Sequence, residues 1–336
     1  MPFTLDATTD LSEGALAYRL SGRLRDAVAV TRWLPGGGAG VRLVPGDIDV
    51  AGRVEWGAKG EDTPSSSASA REAREPAAFV ATARGTLNDW SVGRDSLSVH
   101  GVDAAFDVRV DPATVHLQTP LRIDAAEVIA PVRLAQAQLR LQGMLDYRLS
   151  LRCALTVDAA SATLFGGRVR LARPAAVGCP DPAAVFWMEL LDLDLGQLVA
   201  LENQHIDASG QIAGLVPLKL ADGQLSINGG QVAAQGEGWI RLRDVPQWKA
   251  MAGDNEQLLF ALNALENFKY RVLTSSVDLT PTGWLHLGLS LQGNNPEVKA
   301  GQDIHYNLNV ESNLPSLMKS MRMAEDLSDQ LQDKLQ

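Results

Sequence analysis

Aromatic residues are scarce in this 336-residue chain, at 5% of the total. A closed β-sandwich of this size ordinarily anchors its core on several large rings. The apolar part must instead be built from Leu, Val, Ile and Ala. No run approaches the ~18 consecutive apolar residues of a membrane-spanning helix. The opening "MPFTLDATTD" has neither a charged nor an apolar leader region, so it does not read as a signal peptide. Basic charge is in short supply, with a net charge of -10. The Lys and Arg residues are scattered rather than gathered in a stripe or a compact cluster, which argues against nucleic acid as a partner.

Only two cysteines occur, Cys153 and Cys179. Cys153 falls in register with Leu149, Leu151, Leu155 and Val157, and reads first as a small buried hydrophobe. Cys179 lies in the loop-like stretch "AAVGCPDPAAV". Their spacing leaves a disulfide open, provided the compartment is oxidising. Without a His cluster nearby they do not form a zinc site.

Catalytic signatures are also missing. The five histidines (His100, His116, His205, His286 and His305) form no metal-binding pair, and His286 reads as a solvent-face strand residue. There is no Gly-x-Ser-x-Gly elbow. The glycine-rich "LPGGGAGVRL" lacks the Gly-Lys-Ser/Thr of a phosphate loop and reads as a turn. Asp192 and Asp194 sit two apart, as if paired on one strand face, where solvated carboxylates are commoner than catalytic ones. Nothing assembles a nucleophile, its base and an oxyanion site, so the chain reads as a non-enzyme without cofactor or metal.

What the chain does contain is period-two alternation, punctuated by Gly, Asp, Asn and Pro. In "GWLHLGLSLQGNNP", Leu285, Leu287, Leu289 and Leu291 share one strand face. Val216, Leu218 and Leu220, then Leu225 and Ile227, extend the same pattern around Asp222-Gly223. Hairpin turns are expected there and at Asn228-Gly229. A final strand aligns Ile304, Tyr306, Leu308 and Val310, and as a sheet edge it would offer unpaired backbone groups to a partner strand. Helical patterns are expected over Leu195–Glu202, Asp254–Phe268 and an amphipathic tail from Leu314. The Ser-, Ala- and charge-rich stretch Lys59–Ala78 reads as a flexible loop.

The motifs of the last third carry a resemblance. They are "GQIAGLVPL", "DGQLSINGG", "ALENFKY", "GWLHLGLSLQGNNP" and the terminal "LNVESNL". Together they resemble the C-terminal region of the YdbH-like proteins of Gram-negative bacteria, within the wider AsmA-like group. The resemblance implies an elongated, curled antiparallel β-sheet in the periplasm. Its apolar groove would pass phospholipid acyl chains between the inner and outer membranes. It further implies an inner-membrane anchor ahead of this region. At the C-terminal end it implies a small outer-membrane lipoprotein bound by strand pairing.

On that basis residues 1–180 are expected to be the N-terminal part of the groove, with loop 59–78. Residues 181–336 are expected to be a C-terminal β domain ending in a helix. The expected groove-lining residues are Leu149, Leu151, Leu155, Val157, Val216, Leu218, Leu220, Leu225, Ile227, Leu285, Leu287, Leu289 and Leu291. Ile304, Tyr306, Leu308 and Val310 are the expected partner-binding edge. Alternation fits equally a closed β-sandwich acting as an envelope scaffold, and the residue pattern leaves both readings open.

Overall fold

The computed structural model describes residues 3–10, 14–23, 41–56, 79–94, 97–130, 132–147, 152–179, 181–202, 205–243, 246, 249–250 and 253–313. The expected loop 59–78 and the expected C-terminal helix lie outside these residues. The chain is mainly β, with its strands in one large antiparallel sheet. It divides into two compact units, Met1–Ala160 with Pro174–Pro182, and Ser161–Arg173 with Ala183–Gln336.

In the first unit β1 (Phe3–Asp10), β2 (Ala15–Arg23), β3 (Val41–Val44), β4 (Asp47–Trp56) and β5 (Phe79–Arg94) are followed by β6 (Leu97–Val110), β7 (Thr114–Leu117), β8 (Leu121–Ile129) and β9 (Arg133–Asp146). Directly opposed residues share a face. Val50, Gly85 and Phe106 therefore lie in one row across β4, β5 and β6, as do Ala104, Ile123 and Leu139 across β6, β8 and β9. Asp111 caps the turn between β6 and β7, accepting the N–H groups of Ala113 and Thr114 and the Thr114 hydroxyl. Strand β10 (Arg152–Leu164) pairs with β12 (Ala175–Cys179), which sets Cys153 directly opposite Cys179. The two are joined by a disulfide with a Cα–Cα distance of 5.1 Å. Spacing alone had left this pairing open, because cross-strand register is not visible in the interval between two cysteines.

The second unit contains β11 (Gly167–Leu171), β13 (Ala184–Asp194), β14 (Ile206–Ser209), β15 (Gln211–Ala221), β16 (Gln224–Ala234), β17 (Gly238–Leu242), β18 (Phe268–Leu279), β19 (Trp284–Asn294) and β20 (Ile304–Asn313). Helix α1 (Leu195–Glu202) follows β13, and α2 (Glu256–Leu265) precedes β18. The second helix is shorter than the sequence pattern suggests, because Phe268 already opens a strand.

Asp222 and Gly223 both have positive φ and make the two-residue turn between β15 and β16. Asn228-Gly229 is not a turn. Strand β16 runs through it, and Gly229 at φ 73 marks a bulge against β18, where its N–H donates to Asp278. Asp192 and Asp194 are likewise not a carboxylate pair on one face. A bulge lies between Leu190 and Leu193, with Asp192 at φ 55. Asp194 is thereby placed as the N-cap of α1, accepting the Gln197 N–H at 2.9 Å.

Candidate functional site

The second unit presents one continuous apolar face. A row runs through Ala162, Val169, Leu190, Gly214, Val232, Ser275, Leu289 and Leu308, crossing eight strands by direct pairing. Parallel rows hold Leu171, Met188 and Val216, then Phe186, Leu218 and Ile227. At the other side of β16 these rows continue through Val277, Leu287 and Val310, and through Leu279 and Leu285. The buried polar member of the first row, Ser275, turns its hydroxyl to the main-chain oxygen of Ser276 at 2.8 Å. It offers no free donor to the face.

The opposite side of the sheet carries the charged residues, with Val185, Leu215, Val272 and Trp284 exposed among them. Arg170 pairs with Glu189 at 2.6 Å, and His286 with Glu311 at 3.4 Å. Such exposed pairs contribute little to stability, on the order of 0–1 kcal/mol. Their effect is to fix which face meets water.

Along the strands this face changes character. At one end, helices α1 and α2 close over it. Leu193, Leu195, Ile212, Phe268, Tyr270, Leu273 and Leu291 form a buried cluster there. Phe268 meets Tyr306 edge-on, with ring centroids 5.4 Å apart. Tyr306 donates to the Ala261 carbonyl in α2 at 3.2 Å, and Tyr270 donates to the Ser209 carbonyl at 2.7 Å. Burial pushes both phenols above their ordinary pKa. A Cβ on Gly210 would lie 2.0 Å from the Tyr270 hydroxyl, so this glycine makes room for the ring. Beyond this cap most of the larger side chains on the face are half-buried, Ala162, Ala184, Val216 and Ser275 are buried, and Leu225 at the far end is 48% exposed.

The expected groove residues therefore fall into distinct settings. Leu285, Leu287 and Leu289, with Leu218, Leu220 and Ile227, lie half-buried on the open part of the face. Val216 is buried at 7% exposure within the same face, opposite Met188. Leu291 belongs to the closed cluster at 1% exposure. Leu155 and Val157 lie in the first unit, opposite Val177 and Ala175. Leu149 and Leu151 lie outside the described residues.

On β20, Ile304, Tyr306 and Leu308 pack their side chains against the closed cluster, and Val310 lies opposite Leu287. Among the described residues β20 pairs with β19 alone, so its other side is an edge.

Sequence reasoning missed the cap. Alternation assigns the four leucines of β19 to one face, yet the helices divide them into three half-buried residues and one sealed one. The signal was the juxtaposition of "ALENF" and "GNNP". Asn295 of the latter is buried and donates to the carbonyls of Asn263 and Ala264 at the end of α2.

Among the described residues no group of three His, Cys, Asp or Glu is placed to hold a metal, and no helix is long and apolar enough to cross a membrane. The family model described as "YdbH-like: Intermembrane phospholipid transport protein YdbH" matches residues 8–336. The chain belongs to the YdbH-like family. It is 26% identical over 252 residues to the "Probable phospholipid transport protein YdbH" of Escherichia coli (strain K12), covering 74% of this chain and 28% of that relative. The chain thus spans little more than a quarter of the relative's length. No solved structure matches it.

Proposed function

We propose that the half-buried face of the second unit is a lane for phospholipid acyl chains, part of a periplasmic bridge between inner and outer membranes. The carrying observation is that this face stays largely apolar across eight strands while its one buried cluster lies at the helix-capped end, with Ala162, Ala184, Val216 and Ser275 buried singly elsewhere on it. Among the described residues the buried apolar side chains number 15, and seven of them belong to the capped cluster. A closed sandwich would bury its whole inner face. At about 25 cal/mol per Å2, a partly wet leucine face is costly unless something apolar covers it.

The lane's chemistry is uniform. The open stretch of β19 from Leu285 to Leu289 covers about 14 Å along the strand, at ~3.4 Å per residue. Its Leu, Ile and Val side chains offer contact without a hydrogen bond to fix a ligand in place. Lipid would move along the rows, across successive strands, without a tight stopping point. The disulfide between Cys153 and Cys179 supports an oxidising compartment such as the periplasm. The edge that β20 presents among the described residues supports pairing with a strand of a small outer-membrane lipoprotein.

The test is photo-crosslinking in cells, with the probe placed at Leu287 or Leu289 and, as an internal control, at Leu291. Phospholipid adducts are expected at the first two and not at the third. Adducts at none of the three would defeat the lane.

A second reading is a scaffold whose apolar face is a closed core. The sealed cluster favours it at one end of the strands only.

A further inference from the structure

We propose that the polar face of the first unit carries a phosphate site built around Arg122 and Arg140. These arginines are direct cross-strand partners on β8 and β9. Like charges set directly opposite each other on a sheet are destabilising. Among the described residues neither guanidinium has an ion pair or hydrogen bond to offset that repulsion.

The neighbouring arginines differ. Arg19 forms a two-point contact with Asp49 at 2.8 and 3.2 Å, and Arg84 contacts Asp107 through Nε at 2.9 Å. Each has its carboxylate, while Arg122 and Arg140 are left as a cationic doublet held in place by strand register.

The doublet borders a hollow. Arg122 lies opposite Ala105, and Ala105 opposite Thr86, so small side chains floor the space between the arginines of β2, β5, β8 and β9. The resulting open pocket has a volume of about 760 Å3. Four arginines and two aspartates line it, a local positive excess in a chain of net charge -10.

The chemistry selects the ligand. A guanidinium presents a planar fork of N–H donors that matches two oxygens of an oxyanion. Two adjacent forks suit a tetrahedral phosphate, whose oxygens can accept from both. A single carboxylate would occupy one fork and leave the second charge uncompensated. This site lies on the polar side of the sheet and in the first unit, so it stands independently of the lipid lane. Nothing in the linear sequence marks it, because antiparallel pairing brings together positions 19, 84, 122 and 140.

The experiment is calorimetric titration of the full chain at low ionic strength. One arm uses inorganic phosphate, and the other uses dihexanoylphosphatidylglycerol below its micelle concentration. Saturable binding is expected, weakened about tenfold or more by Arg122→Gln or Arg140→Gln. Arg122→Lys should recover it only in part, since the charge returns without the fork. Thermal melting of each variant verifies that the fold is retained.

Binding of inorganic phosphate alone identifies a free phosphate ligand. Binding of the short-chain lipid with the same arginine dependence identifies a headgroup. No saturable binding of either probe, or binding unchanged in the Arg122→Gln/Arg140→Gln double variant, overturns the site. Full recovery by Lys overturns the fork geometry.

Discussion

The side-chain amide of Asn295, in the turn after β19, closes the C-terminal end of α2 by donating to the main-chain oxygen of Ala264 at 3.2 Å. The same nitrogen reaches the Asn263 carbonyl at 3.0 Å, and Oδ1 accepts the Glu297 N–H at 3.0 Å. A helix end leaves carbonyls without intrahelical partners, and here one buried side chain supplies them. Asn295→Ala should therefore lower stability by about 1–3 kcal/mol, read as a shifted urea midpoint. Asn295→Asp should be no better, because a carboxylate would face two carbonyl oxygens. A midpoint unmoved by either change would mean that those carbonyls find other donors.

Leu287 and Leu291 share a strand face and should still respond oppositely to charge. Leu287→Asp is expected to leave the circular dichroism spectrum and cooperative melt largely intact while abolishing lipid adducts at Leu289. A charge on a half-buried face can remain hydrated, whereas Leu291→Asp would bury it in the closed cluster and unfold the unit. Leu291→Ala should cost about 2–5 kcal/mol. If Leu287→Asp unfolds the protein as Leu291→Asp does, the face is a core.

Reduction should weaken the first unit. Cys153 and Cys179 are 26 residues apart in sequence, and a loop of that size implies a contribution of about 3.5 kcal/mol in the chain-entropy account. Cys153→Ser with Cys179→Ser, or added reductant, should lower the melting temperature. Equal melting with and without reductant would show that strand pairing alone holds β12 in place.

The turn at Asp111 gives a pH signature. Hydrogen bonds from the Thr114 hydroxyl and then from the Ala113 and Thr114 N–H groups hold its pKa down to about 2, from an ordinary 3.8. Because the folded value is the lower one, the group stabilises the fold above the unfolded pKa, and that contribution fades as pH falls toward 2. In Thr114→Val the largest of these bonds is lost, so the Asp111 carboxyl should titrate at higher pH by NMR. An unshifted titration would assign the depression to the backbone donors alone.

Much of the β architecture was legible because alternation, Gly-bearing turns and the Asp222-Gly223 hairpin are local signals. Helix α1 was legible to the residue for the same reason. Bulges were not. Asn228-Gly229 carries the dipeptide of a turn, yet cross-strand pairing with β18 keeps β16 extended through it. The separation of Asp192 from Asp194 depends on one left-handed residue that no composition rule marks. In the candidate site, the shared face of the leucines could be read from the sequence. Its division into open and sealed parts could not, since α2 reaches β19 through tertiary packing and the capping turn at Asn295.

The cap also implies two rules of substitution along a single strand. Leu291 is enclosed by Phe268, Tyr270 and Leu273, where volume and shape are both specified and even a methylene is felt. Leu285, Leu287 and Leu289 are enclosed on one side only. Any side chain that is apolar and of similar reach would serve there, so Ile, Met or Val should interchange at those positions with little effect on folding. A saturation library across β19 would therefore separate a permissive stretch from an intolerant one within a few residues, and the border between them would trace the edge of the helices.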